Sequence, residues 1–286
     1  MIILRQTVWR SLSAVGIASA LAACGPGGEA GGEGVERGRP GAHGEGGEAG
    51  EGGGAAPEAA APSGEAGEAG IAGVMDGLSD TERSAARLQQ LKGFFMAADA
   101  LMSEPDLLPA GVLIGQGVLE VYEAFPSDMT GYNVTQAQAA SRIGLAPNAS
   151  RPEMARALSQ AMAGIDARLT ALDVNGAVIA GRMIEAAEGL YRHVDLGEGL
   201  VDETEYQHSF AAALAARDAL QRDERRLRRI NASAYAEALR ETDAFIALWN
   251  GPFAPPTPAP VGQILAQGSR VQLALSSLQT GVQSGG

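Results

Sequence analysis

Few residues in this chain have the type and spacing to do chemistry, and one stands out by being alone. Cys24 is the only cysteine among 286 residues. It follows Leu21-Ala22-Ala23, so its thiol closes a Leu-x-x-Cys box behind small residues that fit a peptidase cleft. That pattern predicts acylation of the Cys24 sulfur and removal of residues 1–23 as a signal peptide. A single cysteine builds neither an internal disulfide nor a cysteine zinc cluster. The second candidate is Glu205-Tyr206-Gln207-His208, a Glu-x-x-His at i, i+3. On a helix this spacing turns both side chains to one face, which is the half-site of carboxylate-rich metal bundles. Glu185 and Glu188 share the spacing one helix earlier. Glu185, Glu188, Glu205 and His208 are therefore the candidate metal ligands. Against them stands a plain first helical turn, in which Glu203 and Glu205 only favour the helix dipole. The third candidate is the basic stretch from Arg217 to Arg229. Arg222, Arg225, Arg226 and Arg229 are its candidate contacts to an acidic partner. The competing reading is a solvated face laced by Asp218–Arg222 and Glu224–Arg228 pairs at i, i+4.

Composition narrows the function classes. The formal net charge is −13, and loss of Arg5 and Arg10 with the signal peptide takes it to −15. Such a surface opposes nucleic acid and anionic lipid headgroups. No Gly-x-Ser-x-Gly, His-Glu-x-x-His or phosphate loop is present. The expectation is a protein that is not an enzyme.

The segments that must position these residues follow from patterning. Arg5 and Arg10 precede a short apolar run, Leu12 to Ala20, too short for a permanent membrane span. Residues 24–75 form a lipid-anchored tether rich in Gly, Glu and Ala. From Gly25 on it holds 19 of the chain's 39 glycines and nine Glu against two Arg. It has too little apolar surface to offset its ordering entropy, and a disordered chain of this length spans roughly 40 Å. From residue 76 the apolar spacing is helical throughout. Ser79-Asp80-Thr81-Glu82 reads as a capping box opening a helix through Leu88, Leu91, Phe95, Ala98 and Met102. A second helix runs from Pro109 to Pro126, and Gly111, Gly115 and Gly117 on it predict close packing or a weak helix. A third covers Thr135 to Ile143. Ser150-Arg151-Pro152-Glu153 opens a fourth, ended by Asn175-Gly176. Another spans 177–195. Asp202 then caps a long run interrupted near Asn231 to Ser233, a Pro-rich loop covers Pro252 to Pro260, and a last helix runs from Val261 to Leu278. The expected fold is all-α: a helical bundle, or two small helical lobes at 76–146 and 147–286.

Four short segments also resemble a known family. Leu91-Lys92-Gly93, Glu120-Val121-Tyr122, Glu205-Tyr206-Gln207 and the tail from Leu248-Trp249 through Ser269 to Ser276 are similar to bacterial Gly/Glu-tethered lipoproteins. The second half of those lipoproteins in turn resembles the extracytoplasmic helical region of high-affinity iron permeases. The resemblance spans about 88–278. It implies a lipid-anchored protein of the cell envelope, and Gly25 rather than Asp after Cys24 points to the outer membrane, facing the periplasm. It also implies an accessory or binding role in metal uptake with iron as cargo, and an iron permease or other envelope protein as partner. The family pattern has a His after Lys-Gly and a His-x-x-His-Pro before Glu-x-Tyr, where this chain has Phe94, Leu113, Gln116 and Gly117. A site left with carboxylates alone would be a hard-oxygen site, weak for iron(II) and suited to iron(III) or calcium. The rival expectation is an envelope interaction module with no ligand.

Overall fold

The computed structural model of the chain describes residues 73–197 and 199–280. The signal peptide, Cys24 and the tether up to residue 72 lie outside the described residues. The described residues form eight α-helices: α1 (Asp80–Leu101), α2 (Leu108–Gly117), α3 (Thr135–Leu145), α4 (Arg151–Leu172), α5 (Gly176–Tyr191), α6 (Glu203–Arg222), α7 (Glu224–Ile246) and α8 (Val261–Gln279). The fold is all-α, with one small antiparallel hairpin, β1 (Asp195–Gly197) and β2 (Leu200–Val201), among the described residues. Gly73–Met75 already form a turn of 3-10 helix with Val74 and Met75 buried, so ordered structure begins before the expected boundary at 76.

The capping box forms as read. Glu82 N donates to Ser79 Oγ (3.3 Å), and Ser79 N donates to Glu82 Oε2 (2.9 Å). A cap of this kind stabilises a helix by about 1 kcal/mol. α1 is more deeply buried than its apolar stripe suggested, with every residue from Ala85 to Phe95 buried. It packs on α2, α4, α5 and α6. One continuous core joins Leu88, Leu113 and Ile165 to Tyr206, Tyr235 and Leu275. Helices expected in two lobes therefore share one core.

Burying α1 all round requires partners for its polar residues. Lys92, the chain's only lysine, places Nζ 2.6 Å from Asp166 of α4 and 2.8 Å from both carboxylate oxygens of Asp218 of α6. Gln89 donates to Asp218 (2.8 Å) and to Ala215 O (3.0 Å), and accepts from Arg222 (2.8 Å).

Several local expectations are corrected. Ser150 precedes α4 but its side chain makes no capping bond. α4 ends on Asp173 in the left-handed region (φ 51°), while Asn175 caps α5 by accepting from Ala177 N. Gly176 therefore starts a helix; a Cβ there would lie 2.7 Å from Asp223 Cβ. The long run after Asp202 breaks at Asp223 as well as at Asn231, whose φ of −159° and ψ of 104° are non-helical and whose Oδ1 accepts from Ala234 N. The second helix does close-pack through its glycines. A Cβ on Gly111 would sit 2.8 Å from Gly144 C, and one on Gly117 would sit 2.8 Å from Phe94 Cβ. Its last part, Val118–Glu123, widens into a π turn.

Candidate functional site

Asp202 sets the start of α6 by accepting from Thr204 N (2.9 Å) and Glu205 N (3.1 Å). Glu203 is taken up by the Pro-rich loop, accepting from Ala254 N at 3.0 Å. One turn on, Glu205 and His208 face inward and are 4 % and 5 % exposed. α1 docks against this stretch without space to spare, since a Cβ on Gly93 would fall hard against the carbonyl oxygen of Ala211. The Phe94 ring consequently lies on the His208 imidazole, with centroids 4.8 Å apart at 55°. On its other side the π turn brings Glu120 Oε2 to 3.7 Å from His208 Nδ1. That separation is too long for a hydrogen bond and short enough for electrostatic contact.

Burial drives the His208 pKa down to about 4, because an apolar surround penalises the imidazolium. At neutral pH the ring is uncharged and able to offer a nitrogen lone pair. Its Nε2 is buried with no hydrogen-bond partner. A buried polar atom left unpaired costs on the order of 1–3 kcal/mol, and Arg87 Nε, Gln207 Nε2 and Arg222 Nε share this condition.

The structure does not bring all four expected ligands together. Glu205 and His208 are both buried, one turn apart on α6. Glu185 instead pairs with Arg182 at 2.9 Å, and Arg182 also holds Asp76 O. Glu188 lies against Gly268 of α8. Burial raises the Glu188 pKa to about 7, with Arg192 opposing and Glu185 reinforcing the shift. Among the described residues, no three His, Cys, Asp or Glu side chains stand arranged around an ion-sized point.

Sequence reasoning missed Glu120 as a member of this cluster. Its signal was a lone carboxylate inside the apolar run from Leu113 to Tyr122. The basic stretch is largely consumed within the fold. Arg222 turns inward to Gln89, Arg226 pairs with Asp173 and Asp223, Arg228 pairs with Glu224, and Arg217 reaches Asp243 at 2.8 Å. Arg222 and Arg226 are thus spoken for, while Arg225 and Arg229 stay exposed.

No family model matches the chain, and no curated protein or solved structure matches it either. Among the described residues no helix is long and apolar enough to cross a membrane.

Proposed function

We propose that the protein is a non-enzymatic lipoprotein, exported and acylated at Cys24, whose helical domain serves metal uptake as a binding or accessory component with iron as cargo. One observation carries the metal reading: the neutral, buried His208 beside Glu120, with Glu205 one turn back on the same helix face. Two carboxylates and an imidazole are ordinary ligands of transition metals. Two of the four segments that resemble the lipoprotein family contribute residues here, Glu120 and Glu205. Loading an ion would draw the carboxylates in from their present positions. The test is elemental analysis of the mature chain after incubation with iron and removal of excess. Near-stoichiometric iron is expected, and its loss in Glu205→Gln and His208→Gln variants that keep native circular dichroism. Absence of bound metal in the wild-type chain sinks this reading. The anchor is tested separately by palmitate incorporation, expected in the wild type and lost in Cys24→Ser.

The alternative, an envelope interaction module without ligand, draws on a different feature. Leu196 and Leu200 on the hairpin are each 60 % exposed, and large exposed apolar side chains mark contact sites when they cluster. Retained pull-down of an envelope partner by a metal-free His208→Gln protein, lost in a Leu196→Ser/Leu200→Ser double variant, would favour that module.

A further inference from the structure

We infer that Asn250 is a site of spontaneous deamidation and isoaspartate formation, and that the fold closes the same chemistry at Asn175. The chain carries two Asn-Gly dipeptides, Asn175-Gly176 and Asn250-Gly251. A glycine after asparagine leaves its amide nitrogen unhindered and its backbone free to turn, which favours ring closure. In that reaction the glycine nitrogen attacks the asparagine Cγ and forms a succinimide. Nδ2 leaves as ammonia and takes the proton of the attacking amide. Water then opens the ring at either carbonyl, giving aspartate or isoaspartate.

At Asn175 both reacting groups are held elsewhere. Its Oδ1 accepts from Ala177 N (2.8 Å) and its Nδ2 donates to Leu278 O (2.9 Å). Gly176 N, the nucleophile, donates to Asp223 Oδ2 at 2.8 Å. Gly176 is buried in the first turn of α5. Ring closure there requires this corner, where α5 and α8 meet the α6–α7 junction, to open locally.

At Asn250 nothing comparable intervenes. The residue is exposed, in the connection between α7 and α8. Among the described residues neither its side-chain amide nor Gly251 N makes a hydrogen bond. Gly251 lies at φ 99°, and beyond its chain neighbours no atom lies within 4 Å of the position a Cβ would take. The one restraint is on Asn250 N, which donates to Tyr206 Oη at 3.0 Å and takes no part in ring closure. Further along, Ala254 N donates to Glu203. An isoaspartate inserts an extra backbone carbon between these two anchor points, so the change falls where the Pro-rich loop is tied to α6.

The experiment is incubation of the mature chain in mildly alkaline buffer, native and in guanidinium. Peptide mapping follows conversion at each asparagine, and labelling by an isoaspartyl methyltransferase reports the isoaspartate. In the native protein Asn250 is expected to convert about tenfold faster than Asn175 or more, because Asn175 reacts only from its opened fraction. In guanidinium the two rates are expected to converge. Asp223→Ala, provided its circular dichroism stays native, should speed conversion at Asn175 and leave Asn250 unchanged. Native Asn175 converting as fast as Asn250, or a gap that persists in guanidinium, overturns the inference. So does an Asn250 that stays intact in the native chain while the unfolded chain converts. An unchanged Asn175 rate in folded Asp223→Ala overturns the closure at that corner.

Discussion

Two polar clusters lie on the same helix pair, and they are built in opposite ways. Around Lys92 the charges are paired: the ammonium meets Asp166 and Asp218, and Gln89 links Asp218 to the Arg222 guanidinium, whose buried Nε is left without a hydrogen bond. Around His208 the ring's Nε2 is buried without a hydrogen bond, and the Glu120 carboxylate stops at 3.7 Å from Nδ1. Lys92 and Phe94 are two residues apart on α1, so both clusters experience the same tight docking on α6. The difference separates two uses of buried polarity. A network of paired charges fixes one arrangement of helices, whereas a neutral imidazole held 3.7 Å from Glu120 constrains them less.

Substitutions can break or sharpen that contrast. The largest effect is expected at Lys92→Met, which takes the ammonium away from Asp218 and Asp166. Removing one partner of a largely buried ion pair costs about 3 kcal/mol or more, so thermal unfolding should shift down by on the order of 10 °C. A shift of a degree or two would mean the network is ornamental. Next comes Gly93→Ala, whose methyl group meets the Ala211 carbonyl on the seam between the clusters. Overpacking of this kind costs about 1–3 kcal/mol, and denaturant midpoints would report it.

At His208 the expectation reverses. His208→Leu removes an unpaired polar atom, so stability at pH 7.5 should stay within about 1 kcal/mol of wild type. Its signature lies in the pH dependence. The folded-state pKa of about 4 lies below the ordinary value of 6.5, so the unfolded chain binds more protons between those values. The wild type therefore loses stability as pH falls from 6.5 towards 4, and the leucine variant loses less. Parallel melting curves at pH 7.5 and 5 would show this, and curves that stay parallel in both proteins would refute it. The smallest effect belongs to Glu188→Gln on the α5–α8 seam, with the opposite sign. There the folded pKa of about 7 exceeds the ordinary 4.5. The wild type loses stability as pH rises between those values, so the glutamine variant should be the more stable at pH 8 and indistinguishable near pH 4.5.

Helix existence was legible in the sequence because apolar spacing and caps are local signals. Ser79–Glu82 and Asp202 cap as read, and each of the main helices lies where its stripe lies. What local pattern could not convey was depth. The polar residues of α1 looked like a solvent face, but Arg87, Gln89 and Lys92 are buried because four helices surround them. The same limit applied to the site. Glu205 and His208 were visible through their i, i+3 spacing, and Glu185 and Glu188 looked equivalent by the same rule. Only the packing of α5 on α8 rather than on the π turn separates them. Glu120 joined the cluster across 88 residues of sequence, a distance at which spacing carries no information.

The central claim, that His208 is a ligand held ready, is most directly tested by nitrogen-15 NMR of histidine-labelled protein. The chain has only three histidines, so His208→Gln assigns its signals outright. The expected result is a neutral His208 ring that stays unprotonated down to about pH 5 and shifts on addition of stoichiometric Zn²⁺, with Glu120→Gln weakening the response. An imidazole that titrates near 6.5 like an exposed one, or that ignores the ion while the protein remains folded, would contradict it.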